Sequence, residues 1–128
     1  MPELEKLTVN LNAVDLGQME LLVEQGFYAN RAEFIRLAIH EQLAKHSETV
    51  RETTRRASSV VGAMVFSKRD LEQQRAAGTR ISLNVVGFVS IAEDVPPVLA
   101  TEVIDSVMVR GVFKASKAVK DALADRTT

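Results

Sequence analysis

The stretch KLTVNLNAVDLGQMELLVEQGFYANRAEFIRLAI, Lys6 to Ile39, changes its hydrophobic rhythm once. At its start Leu7, Val9 and Leu11 alternate with Lys6, Thr8, Asn10 and Asn12. That is the period-two pattern of a strand with one buried and one wet face. From there the apolar spacing becomes three or four. Asp15 is placed to cap a first helix, with Leu16, Met19, Leu22 and Val23 along one face and Gly26 at its end. Asn30 and Glu33 have the spacing of a capping box ahead of a second helix, whose apolar stripe is Phe34, Ile35, Ala38, Ile39 and Leu43.

No second strand follows to pair with the first. One strand and two short helices cannot bury their own apolar surface, because such pieces are marginal in water. Two copies can. If the strand pairs antiparallel with its symmetry mate, Leu7, Val9 and Leu11 of both chains close over a shared core to which Phe34, Ile35 and Ile39 contribute. Folding and homodimer formation are then one event.

The segments KLTVNLN and LGQMELLVEQGFYANRAEFIRLAI resemble the ribbon-helix-helix DNA-binding domain of bacterial repressors of the Arc, MetJ and CopG type. The resemblance lies in the order and spacing of strand, first helix and second helix within the N-terminal third. Ala32 departs from the Ser or Thr that many members carry there, which removes one hydroxyl able to meet a phosphate. The resemblance implies an intertwined dimer whose two-stranded ribbon enters the major groove of double-stranded DNA. Lys6, Thr8 and Asn10 would then face the bases. Their chemistry suits that role: Lys donates to guanine, Asn pairs with adenine, and Thr offers a hydroxyl or a methyl contact. The resemblance further implies a phosphate at the start of the second helix, against Asn30, Arg31 and Ala32, where unpaired amides and the helix dipole favour an anion. Arg36 reads as an exposed helix residue or an intra-dimer partner for a carboxylate such as Glu33, rather than a DNA contact.

After Leu43 the apolar stripe fades into AKHSETVRETTRRASS, a polar connector that extends helically to Arg56 and breaks at Ser58 and Ser59. Glu48 and Glu52 lie within pairing distance of its arginines. Beyond it, VVGAMVF at Val60, VVGFVSI at Val85 and VRGVFKA at Val109 repeat a V-x-G pattern, each followed by a helix-like segment. Ser67, Asp94 and Ser116 are placed as N-caps, the Pro96–Pro97 pair suits a first helical turn, and Gly78 suits a helix end. Strand and helix in alternation at this period predict parallel strands joined by crossovers, a small β-α repeat module. Gly62, Gly87 and Gly111 fall inside the strands rather than in a Gly-rich loop, which points to close packing or a bulge instead of phosphate binding.

The expected organisation is α+β followed by α/β. Residues 1–46 form a β-α-α domain for DNA binding and dimerisation, 47–59 a polar helical connector, and 60–128 a three-unit repeat domain for assembly or effector response. An exposed edge of the repeat sheet offers a route from dimers to higher oligomers.

Composition sets outer bounds. The chain has 128 residues, no Cys, two His and a net charge of −1. Disulfides and thiolate metal sites are excluded, and His40 and His46 sit on different faces of one predicted helix, so neither metal nor cofactor is expected. The opening MPELEK and the lack of a long apolar run predict a cytoplasmic, non-membrane protein. No constellation of nucleophile, base and acid appears, so an enzyme is not expected. The leading expectation is a DNA-binding transcriptional regulator acting as a repressor. The rivals are an antitoxin, whose tail would fold on a toxin, and a dimeric scaffold.

Overall fold

The computed structural model describes residues 4–128 and divides into two compact units, residues 4–53 and 54–128. The N-terminal unit holds α1 (Ala13–Glu24) and α2 (Arg31–Lys45) and most of α3 (Ser47–Arg56). Residues 4–12, where the sequence predicts a strand, carry no regular element in the single chain. The reason is physical. A strand exists through hydrogen bonds to a neighbour, and all three described strands pair with one another in the other unit.

Asn12, not Asp15, caps α1. Its Oδ1 accepts the Asp15 backbone N–H at 2.8 Å and its Nδ2 donates to Asp15 Oδ2 at 3.1 Å. The helix starts two residues before Asp15, which places that carboxylate in the first turn, beside the unpaired amides, where negative charge is favoured. Gly26 follows α1 with φ +84°, the left-handed geometry expected of a terminating glycine. Asn30 caps α2 as the sequence predicts, accepting the Glu33 N–H at 2.8 Å. Glu33 reaches back to the Ala29 N–H rather than to the N-cap amide itself, so within the chain its carboxylate closes the helix start.

The C-terminal unit runs β1 (Val60–Phe66), α4 (Lys68–Ala76), β2 (Ile81–Ile91), α5 (Pro97–Val103), β3 (Ile104–Lys114) and α6 (Lys117–Ala122), closing on a 3-10 turn (Ala124–Arg126). The strands are parallel, in the order β1-β2-β3. The three V-x-G motifs meet in register: Val60 beside Val85 beside Val109, and Gly62 beside Gly87 beside Gly111. One face of the sheet carries the core. Leu83, Val85, Val89 and Ile91 of β2 are buried with Leu71 of α4, Leu99 of α5, and Val119 and Leu123 around α6. The opposite face is open: Val61 and Val65 are 60% and 69% exposed, and Val86, Phe88 and Val112 are half-buried.

The glycines form a column with a steric cause. A Cβ on Gly87 would lie 2.1 Å from the Gly62 carbonyl oxygen, and one on Gly111 would lie 2.0 Å from that of Gly87. All three residues have φ between +129° and +145°. Neighbouring backbones therefore approach where any side chain would intrude.

Two of the three predicted caps hold. Ser67 accepts the Asp70 N–H at 3.1 Å while Asp70 Oδ2 accepts the Ser67 N–H at 2.8 Å, a reciprocal capping box. Ser116 accepts the Val119 N–H at 3.2 Å. Asp94 does not cap α5; Pro96 takes that place with no side-chain bond, and Pro97 opens the helix. A proline forces its predecessor into extended geometry, so Pro97 fixes Pro96 outside the helix and Asp94 lies too far upstream.

The Ser67 amide, and then the Ser67 hydroxyl, hold the Asp70 carboxyl below its ordinary pKa. A carboxylate depressed in the folded state stabilises it above the unfolded pKa, and that contribution disappears as pH falls through the folded value. The thermal midpoint of wild type is expected to exceed that of Asp70→Asn at neutral pH, with the gap narrowing as acid protonates the carboxylate. A gap independent of pH would remove this role for the charge.

Candidate nucleic-acid interface

Within the N-terminal unit, Met19 alone is buried, at 4% exposure. Leu7, Val9 and Leu11 are 79%, 62% and 48% exposed, and Val14, Leu21, Ile35, Leu37, Ile39 and Leu43 stand open as well. A shallow groove lined by Leu11, Met19, Leu22 and Phe34 opens beside them. The α2 sequence RAEFIRLAIHEQLAK has apolar residues on more than one side, since Leu37 lies off the stripe of Phe34, Ala38 and Ile39. A helix apolar beyond one stripe belongs inside something larger. This unit by itself leaves that surface in water, which costs roughly 25 cal/mol for every Å².

Each residue of the expected shared core is thus present and uncovered except Phe34, which is half-buried. Phe34 meets Tyr28 edge-to-face, with ring centroids 4.9 Å apart. That contact fixes the turn entering α2. Lys6, Thr8 and Asn10 are exposed along the same segment as the apolar trio.

At the start of α2 the Glu33 amide is satisfied by Asn30, which leaves the first amides, Arg31 and Ala32, with no acceptor inside the helix. The Arg31 guanidinium turns back to Glu20 of α1, Nη2 to Oε1 at 2.9 Å. Sequence reasoning missed this ion pair, and no local spacing would have revealed it, because the partners are eleven positions apart. It leaves the backbone, more than the side chain, as the anion-facing feature of this helix end. Residues 4–53 hold five Lys and Arg against eight Asp and Glu. Of the connector's arginines, Arg51 pairs with Glu48 at 2.7 Å.

A family model described as a ribbon-helix-helix transcriptional regulator family matches residues 2–120. The chain belongs to the ribbon-helix-helix transcriptional regulator family. The ribbon-helix-helix match extends across both units, well beyond the N-terminal third that carries the sequence resemblance. Membership in this ribbon-helix-helix family marks a regulatory, DNA-binding protein. No curated protein and no solved structure matches the chain significantly. Among the described residues, no helix is long and apolar enough to cross a membrane.

Proposed function

We propose that the protein is a homodimeric repressor that inserts a two-stranded antiparallel ribbon, one strand from each chain, into the major groove of operator DNA. One observation carries the reading: a unit of about fifty residues buries a single large apolar side chain while the Leu7, Val9, Leu11 row stays in water. A second copy supplies both the missing strand partner and the missing cover. With the apolar row turned inward, strand alternation places Lys6, Thr8 and Asn10 on the outer face of the ribbon. A ribbon of two strands fits the groove width of B-DNA. The free amides of Arg31 and Ala32 and the Asn30 cap are assigned to a backbone phosphate on either side. Ile35 and Ile39, with Phe34, complete the shared core.

The acidic balance of the N-terminal unit means that bulk positive field contributes little, and positioned contacts carry affinity. The C-terminal unit has a core of its own, which favours a regulator with a folded second domain over an antitoxin whose tail folds on its target.

Asn10→Ala tests the assignment. Binding to an operator selected from random DNA is expected to weaken by about 1–3 kcal/mol, roughly 5- to 150-fold, with dimer mass unchanged. Unaltered affinity and base preference would remove Asn10 from the reading face.

A further inference from the structure

The two edges of the sheet are built differently. The outer side of β3 is defended: the strand carries Asp105, Arg110 and Lys114, Thr127 bridges to Val107, and the Thr128 N–H donates to the Val107 carbonyl at 2.9 Å. Arg126 secures that covering, its Nη1 donating to the Thr101 and Ile104 carbonyls at 2.9 Å each. The outer side of β1 has none of this. Its seven residues, VVGAMVF, contain no charge and no proline, and among the described residues no strand pairs with it there. Folded proteins ordinarily blunt an edge with charge, proline, a bulge or a cover.

The glycine column ends on the same edge. At Gly87 and Gly111 the Cβ position is filled by the carbonyl of the preceding strand, whereas at Gly62, with the same kind of backbone geometry, nothing lies within 4 Å. The β1 edge therefore admits a further backbone at close range.

We infer that β1 pairs antiparallel with β1 of a second copy, joining two C-terminal sheets into one of six strands. The partner is another β1 and not β3, because β3 is covered at Val107 and charged along its length, while β1 presents an uncharged surface that matches itself. A two-fold axis closes this contact, since each copy offers one open edge and the defended β3 edges are left outermost. Full overlap of Val60–Phe66 centres the axis on Ala63, sets Val61 opposite Val65 of the second copy, and keeps both helical layers on one side. The contact is separate from the ribbon pairing and stands without it.

The chain has no cysteine, so single substitutions make a clean probe of the full-length protein. Under mild copper-phenanthroline oxidation, Ala63→Cys is expected to form a disulfide-linked dimer at least tenfold faster than Val112→Cys, which lies on the same face of the sheet but in β3. Val61→Cys and Val65→Cys should each cross-link poorly alone and efficiently when mixed. The Ala63→Cys product should persist in a Val9→Asp background, where the ribbon pairing is removed. Equal cross-linking at positions 63 and 112 would overturn the edge pairing in favour of contact through the open face. Loss of the product in the Val9→Asp background would overturn an interface that acts by itself. Failure of the ribbon reading would appear separately, as DNA binding that survives Val9→Asp.

Discussion

Val9→Asp is expected to abolish operator binding and to leave residues 4–53 largely unfolded at concentrations where wild type is dimeric. Val9 is the middle residue of the apolar row and is 62% exposed in the single chain. In the proposed dimer it is covered, so a carboxylate there enters the shared core with no cation to meet it. An uncompensated buried charge costs about 3–5 kcal/mol, and the two-fold repeats the penalty in both chains. Apparent affinity should fall by more than about a thousandfold. Sedimentation and gel shift on the same samples would follow both effects. If Val9 faced solvent in the active protein, the substitution would be nearly silent, as surface changes usually are. Wild-type binding by Val9→Asp would therefore dismiss the ribbon.

Gly87→Ala is expected to be as damaging as any single-methyl change in the C-terminal unit, matched by Gly111→Ala, whose Cβ would lie 2.0 Å from the Gly87 carbonyl oxygen. Two effects add. The φ of +139° lies where residues with a side chain are strained by about 1–3 kcal/mol. The new Cβ would also fall 2.1 Å from a backbone oxygen that has no freedom to swing aside. A loss of about 3 kcal/mol or more follows, and for a domain of this size that lowers the melting midpoint by roughly 12 °C or beyond. Gly62→Ala meets only the first effect in the isolated chain and should be milder. A Gly87→Ala midpoint within a few degrees of wild type would mean that the strands do not approach as described.

The repeat was legible because it reports on one strand meeting another at a fixed offset. Motif starts separated by one helical crossover, at Val60, Val85 and Val109, become lateral neighbours in the sheet. Ser67, Asn30 and Ser116 were legible for a similar reason, since a cap is a contact across three residues and its chemistry is local. Asp15 and Asp94 misled because a capping side chain is recognised by type, while the first helical residue is settled by competitors nearby: Asn12 in one case, the Pro96–Pro97 pair in the other. The Arg31–Glu20 ion pair and the Thr127 bridge to Val107 depend on how separate elements come together, which no short window encodes. In the candidate interface the sequence marked which side chains are apolar and which are polar. The strand between them lies beyond what one chain can display, because its hydrogen-bonding partner belongs to a second molecule in the proposed assembly.

The edge-to-face contact of Tyr28 with Phe34 has a practical consequence. The protein has one tyrosine and no tryptophan, so its tyrosine emission, excited at wavelengths where its five phenylalanines hardly absorb, arises at the entrance to α2. Denaturation followed by that emission reports the helical unit selectively, whereas circular dichroism sums both. Two optical channels on one unlabelled sample can therefore tell whether the halves melt together or in sequence.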